Sequence, residues 1–316
     1  MKAAVVESFD LPPVYGDYRE PEAADGETVV TIEAAALSPI VKRLASGRHY
    51  SSTATAGFVP GVDGVGIDDQ GQRVYFLFPK APFGSMAERS LAAINMTVPV
   101  PGALASDRAA AIVTAALASW VALTRRAQIR AGETVLVLGA TGASGSMALQ
   151  TARHLGARKV VAVGRNAEKL QRLDADVRIS LASSEADASL RHQFDEGIDI
   201  VLDFVWGEPA ARVIRAATDH RGSAAGEPPL RYVQLGTMAG EEISIRGDAL
   251  RSSGLLLMGS GIGSVAVADL LAGAGELLAA APEAKFHTDF ESLPLRMVKE
   301  AWSGDADTRY ILRPGG

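Results

Sequence analysis

From residue 134 onward the chain alternates short, wholly apolar runs with helical patterns, and this constrains its fold more than any other feature. VLVLG (135–139), VVAVG (160–164), IDIVLDFV (198–205) and RYVQLG (231–236) read as buried strands. Helical patterns from Ser144 to Leu155 and through AEKLQRL fall between them, and VRISL adds another strand. A strand that is apolar on both sides needs cover on both faces, so the order predicts an α/β fold around a doubly wound parallel sheet. The Ala-rich stretch DRAAAIVTAALASWVALTRRA leads into this region as a helix, with Ser106 as its N-cap. SAAGEPPL (223–230) reads as a loop, ISIRG and LLLMGSG (255–261) as strand-like, and ADLLAGAGELLAAA (268–281) as helix. The tail reads as strand (KFHTDF), helix (LRMVKEAW) and strand (RYILRP). Residues 1 to about 105 differ: AAVV, TVVTIEAA and RVYFLF are short β-type runs separated by turn signals such as PGVDGVG and DDQGQ.

At 316 residues the chain has length for about two domains. Its net charge of −6, without a basic block, argues against nucleic acid or an anionic membrane as partner. There is no cysteine, so disulfides and thiolate metal sites are excluded. MKAAVVESFD does not read as a signal peptide, and no uncharged apolar run reaches the roughly 18 residues a membrane helix needs. A cytoplasmic location is expected.

The first α/β strand ends in Gly139-Ala140-Thr141-Gly142-Ala143-Ser144-Gly145, an A-x-G-x-x-G form of the dinucleotide loop. Such a loop needs a tight turn, a bare backbone where pyrophosphate approaches, and a small residue where helix meets strand. Gly142 and Gly145 supply the last two, and the following helix offers free N–H groups and a positive dipole end. The alternative is a plain Gly-rich turn, but a strand precedes the loop and a helix follows it, as binding requires. At the end of the second strand an NAD enzyme places an acidic residue for the ribose hydroxyls. Here that position reads Gly164-Arg165-Asn166, with Lys169 one turn on. A guanidinium holds a 2′-phosphate that a carboxylate would repel, so the cofactor is expected to be NADP(H). The alternative is a solvated basic pair at a helix start.

With these segments in place, the chain resembles the medium-chain dehydrogenase/reductase superfamily, in its zinc-free quinone oxidoreductase-like branch. The resemblance runs over nearly the whole chain. MKAAVV, VVTIEAAALSP, FVPGVDGVG, GQRVYFL with FGSMAE, and VLVLGATGASGSMALQTARHLGA are similar to successive family segments in order and spacing, although Ser38 stands where an Asn is common. The resemblance implies a GroES-like substrate domain (1–108 and 262–316), a Rossmann domain (109–261) and a cofactor cleft at their junction. It also implies no catalytic zinc: Val62 precedes Asp63 in the Pro-Gly turn, the zinc branch's cysteines are absent, and the five His are scattered. By the same resemblance Thr114 lies near nicotinamide, Gly259-Ser260-Gly261 meets the carboxamide and Arg313 reaches the cofactor. Gly236, closing RYVQLG, joins that set. Asp63 reads as structural, holding a turn or an Arg.

Without a metal, a substrate must delocalise its own developing charge, which points to quinones, enones and enoyl thioesters. Tyr50, in SGRHY, lies where quinone oxidoreductases often place a cleft tyrosine, and its phenol is the candidate donor to a substrate carbonyl. The alternatives are that Tyr50 only lines a loop and that Thr114 only bonds its own helix backbone. A zinc-free alcohol dehydrogenase and a non-catalytic NADPH sensor remain alternative functions. LLLMGSG and RYVQLG are expected near the end of the Rossmann sheet, where the resemblance implies that edge strands pair across a two-fold axis, giving a homodimer.

Overall fold

The computed structural model describes residues 1–48, 52, 55–305 and 308–315. The chain forms two compact units, Met1–Thr114 with Leu271–Gly316, and Ala115–Leu270. The limits fall inside two long helices, because packing changes partway along them, whereas composition changes at their ends.

The first unit opens with β1 (Lys2–Val5) paired antiparallel to β2 (Val14–Asp17). Then come β3 (Glu27–Leu37), the short helix α1 (Pro39–Ala45), β4 (Asp63–Ile67), β5 (Arg73–Leu77), β6 (Arg89–Ala93) and β7 (Thr97–Pro99). Helix α2 (Ser106–Val121) continues as a π-helical turn at Ala122–Arg126. By length and composition Ser106–Arg126 is apolar enough to cross a membrane, but 67% of its apolar window is buried inside the protein, as in a core helix.

The second unit holds β8 (Thr134–Leu138), α3 (Ala143–His154), β9 (Lys159–Gly164), α4 (Ala167–Gln171) and β10 (Val177–Ser180). It continues with α5 (Ala186–Glu196), β11 (Ile200–Asp203), α6 (Gly207–Thr218), β12 (Leu230–Gln234), α7 (Gly247–Ser252) and β13 (Leu255–Gly259). Its six strands are all parallel, in the order β10-β9-β8-β11-β12-β13. That is the doubly wound Rossmann order, with the reversal between β8 and β11. Leu136, Leu138, Val161 and Val163 pack on one side of the sheet with Leu190 and Val213. Val135, Val137, Val160 and Ala162 pack on the other with Leu149 and Leu170. Each fully buried side chain of this size contributes about 1.5–3 kcal/mol, so the uninterrupted apolar strands are the source of the two-layered cover.

The chain then returns through α8 (Val267–Ala284), β14 (Glu291–Pro294), α9 (Val298–Ser303) and β15 (Tyr310–Arg313). In the first unit the main sheet runs β14-β15-β3-β4-β5-β7, with β6 also pairing β3. Among the described residues of this sheet, only the β14–β15 pair is parallel. A Rossmann sheet and a mostly antiparallel β unit make up the expected fold class.

Two segments read as strands are not strands. In ISIRG, Ile243 and Ile245 pack against the sheet core, so the alternation reflects packing without ladder pairing. In KFHTDF, Phe286 is buried and its carbonyl accepts from Arg108 Nη2 at 3.0 Å; strand pairing begins only at Glu291.

Candidate functional site

Strand β8 is buried along its whole length and delivers the chain to the sheet's carboxyl edge. There Gly139 turns with φ +89°, and the N–H groups of Gly139 and Ala140 both donate to Val163 O, at 2.9 and 3.0 Å. A Cβ on Gly145 would lie 2.2 Å from Gly139 O and 2.7 Å from Ala140 Cα, so helix and strand touch only because that side chain is missing. Gly142 is different: a Cβ there would meet only Gly139 O, at 3.6 Å. The protein itself does not demand a glycine at that point, and the bare face is open outward. Gly142 is also the N-cap of α3, with no side-chain cap and no acidic residue in the first turn. The N–H groups of Ala143, Ser144 and Gly145 thus face outward at the positive end of a helix dipole, where an anion is stabilised.

The loop meets the end of β9 directly: a Cβ on Gly164 would lie 3.1 Å from Thr141 Cγ2. Arg165 follows, exposed, and among the described residues its guanidinium has no partner. Asn166 caps α4, accepting from the Lys169 N–H at 3.0 Å, which sets Lys169 in the first turn. The one carboxylate in that turn, Glu168, is engaged by Arg172 at 2.6 Å. The strand end is therefore basic, and the acid in the turn that follows it, Glu168, is paired with Arg172.

Across the switch point, β11 ends in Asp203, which sequence reasoning missed. Asp203 is wholly buried, its Oδ1 accepts from the N–H groups of Val205 and Trp206 at 2.8 and 2.9 Å, and its Oδ2 accepts from the Tyr232 hydroxyl at 2.8 Å. Burial raises the Asp203 carboxyl above its ordinary value, opposed by these three hydrogen bonds. The turn it holds is strained, with Trp206 at φ 54°, ψ −158°. Gly236 fits against this turn: a Cβ there would meet Phe204 O at 2.5 Å. At the end of β13, Gly259 O accepts from Arg126 Nε at 2.9 Å, and Ser264 Oγ accepts from the Gly261 N–H at 2.9 Å. Trp206, Gln234, Thr237, Leu257 and Gly259 help line an open recess of about 340 Å³.

Thr114 and Arg313 belong to the other unit. Thr114 Oγ1 lies 2.7 Å from Ala110 O and 3.0 Å from Asp63 Oδ2, so it bonds its own helix and also the buried carboxyl of Asp63. The Tyr75 hydroxyl donates to the same oxygen at 3.1 Å. Desolvation pushes the Asp63 carboxyl up to about 6, opposed by the Thr114 and Tyr75 hydrogen bonds and the charge of Arg309. Arg313 is half-exposed and sits 3.6 Å from Asp107. Tyr50 lies outside the described residues. Among the described residues no group of three or more His, Cys, Asp and Glu is placed to hold a metal ion.

The structure thus gathers Ala140–Gly145, Gly164, Arg165 and Lys169 at one end of the Rossmann sheet. Gly236 and Gly259–Gly261 stand at the carboxyl ends of strands in the same sheet. In an open α/β sheet these ends form the ligand crevice.

A family model described as zinc-binding dehydrogenase matches residues 143–272. A probable NADPH-dependent quinone reductase of Emericella nidulans is 29% identical, over 98% of this chain and 98% of its own. A quinone oxidoreductase of Rattus norvegicus is 29% identical over 65% of this chain and 66% of its own. Among solved structures, the quinone oxidoreductase of Thermus thermophilus, also described with NADPH, superimposes with a TM-score of 0.81 at 26% identity, covering 99% of this chain and 100% of the other.

Proposed function

Because the chain belongs to the medium-chain dehydrogenase/reductase superfamily, in its quinone oxidoreductase-like branch, we propose that it is an NADPH-dependent oxidoreductase that reduces quinones or α,β-unsaturated carbonyls. The observation that carries this is the joined pair of an uncapped, glycine-bared helix start at Gly142–Gly145 and an unopposed Arg165 beside it. The first fits a pyrophosphate. The second fits a 2′-phosphate.

NADPH, once held there, supplies the hydride. The chain's own residues bind and orient it: Ala143, Ser144 and Gly145 through backbone N–H groups, Arg165 and Lys169 through charge. The reaction is proposed to need no metal, because hydride added to a conjugated carbon leaves the charge spread over an enolate or hydroquinone anion. Hydrogen-bond donors then suffice. Tyr50 is the proposed donor to the substrate oxygen. If so, Tyr50→Phe lowers single-turnover NADPH oxidation by about 10²–10³-fold; a change below about threefold, some 0.65 kcal/mol, removes Tyr50 from the mechanism.

The whole reading is tested by following NADPH oxidation against a panel of quinones, enones and enoyl thioesters. No oxidation of NADPH by any member overturns the enzymatic assignment, leaving a cofactor-binding sensor. Oxidation of alcohols with NADP in their place moves it to a zinc-free alcohol dehydrogenase.

We further propose a homodimer. Strand β13 is the sheet's edge, and Leu256 and Leu257 on it are 49% and 38% exposed. An exposed apolar edge is an aggregation hazard that pairing with a second copy removes. Light scattering that returns one chain's mass, 33.0 kDa, at all concentrations contradicts it.

A further inference from the structure

We propose that Asp203 is a positioning residue for the dinucleotide, acting through the turn that follows β11; this rests on the NADPH-dependent reading above. Asp203 touches no candidate phosphate-binding atom. Its Oδ1 instead gathers the N–H groups of Val205 and Trp206, at 2.8 and 2.9 Å, and its Oδ2 is fixed by the Tyr232 hydroxyl. Those bonds hold Trp206 in a backbone region that only glycine enters at no cost.

The turn so held is wedged between the two loops that the cofactor needs. On one side, Val205 Cγ1 fills the space where Gly139 lacks a side chain, 2.8 Å from the position a Cβ would take. Gly139 is the pivot of the phosphate loop, and the Phe204 N–H donates to the carbonyl of Leu138 just before it, at 3.1 Å. On the other side, Phe204 O abuts Gly236, and Val205 O accepts from the Ala239 N–H at 2.7 Å. Gly207, at φ 63°, leaves room for Ala239 O, which a Cβ would approach to 2.6 Å. A single buried carboxylate therefore clamps the turn against both loops. Releasing it lets Val205 withdraw from Gly139, and the N–H groups of the phosphate loop lose their alignment.

The test separates the loop from the rest of the site by ligand choice. NADPH carries a pyrophosphate that engages the loop. Adenosine 2′-monophosphate carries the 2′-phosphate for Arg165 but has nothing to reach Gly142. Dissociation constants for both are measured on the full chain and its variants by calorimetry. Asp203→Ala is expected to weaken NADPH about tenfold while leaving adenosine 2′-monophosphate unchanged. Asp203→Asn restores NADPH binding to within about twofold, since its amide oxygen still accepts from the two N–H groups. Val205→Ala leaves the carboxylate intact and weakens NADPH alone, by about threefold, so the proposal stands or falls even if Asp203→Ala does not fold. Equal weakening of both ligands, or no weakening of NADPH in Val205→Ala, overturns it. Failure of the unaltered chain to bind NADPH overturns the cofactor reading itself, a separate result.

Discussion

Among the described residues, each unit buries an aspartate beneath a tyrosine hydroxyl, Asp63 under Tyr75 and Asp203 under Tyr232, yet the two carboxyls are used differently. Asp203 takes two backbone N–H groups from its own chain neighbours and one hydroxyl, so both its oxygens are engaged and its work is local. Asp63 takes only side chains, Tyr75 from the adjacent strand β5 and Thr114 from helix α2, both on Oδ2. Its Oδ1 has no partner, nor have Nε and Nη1 of the buried Arg309 in its field, among the described residues. One carboxyl shapes backbone. The other cross-links elements and leaves its charge only partly compensated.

The sharpest way to break this contrast is Asp203→Ala. Three donors, one buried and two half-buried, would lose their acceptor together, and urea unfolding should show a loss of roughly 3 kcal/mol. A loss under about 1 kcal/mol would mean the turn holds itself.

The next test uses pH. The folded Asp63 carboxyl titrates at about 6 against an ordinary 3.8, so the folded chain binds more protons than the unfolded chain between those values. Stability from this group is therefore present at low pH and is lost as pH rises through that window, by roughly 2–3 kcal/mol. Asp63→Asn should flatten the slope by that amount. An unaltered slope would show that Arg309 keeps Asp63 ionised throughout.

A smaller effect belongs to the exposed end of the dinucleotide unit. Arg165→Ala should cut an NADPH-over-NADH preference of at least about tenfold, worth roughly 1.4 kcal/mol, towards parity. Fluorescence titration with both cofactors measures it, and an unchanged ratio assigns the selectivity elsewhere.

Smallest of all is Tyr75→Phe, expected to cost about 1 kcal/mol of stability with no change in NADPH affinity. If NADPH binding weakens as well, the two carboxyl centres are not independent.

The same contrast explains what the sequence disclosed. The candidate phosphate loop's geometry was legible because its demands are local: a strand, a bare turn and a helix start in one uninterrupted run from Val135 to Leu155. The basic strand end at Arg165 and Lys169, proposed to set selectivity, was picked out by its distance from that loop. Asp203 was not, since an acidic residue closing IVLD looks like the solvated end of a strand. Only the fold shows Tyr232 from the neighbouring strand reaching it. The Trp-Gly pair after it, where backbone must enter a glycine-like region, was the available signal. Asp63 was read as structural, and its partners Tyr75 and Thr114 were not foreseen, because one needs the β4–β5 pairing and the other lies 51 residues along the chain. ISIRG and KFHTDF misled because alternation reports which side chains are buried, not whether a neighbouring strand exists to pair with.

The placement of β15 beside β3 also orders the events of synthesis. Residues 115–270 are contiguous and hold all six strands of their sheet. They can close as soon as they leave the ribosome. The other unit cannot: Leu37, Ala36 and Ala35 wait for Tyr310, Ile311 and Leu312, which emerge long after them. Until then one side of the long strand β3 lacks its terminal partner and the nascent segment around it stays incomplete. Such distant pairing is slow to form. That segment thus waits for its partner with an unpaired strand side exposed, although it is made earlier than the contiguous sheet.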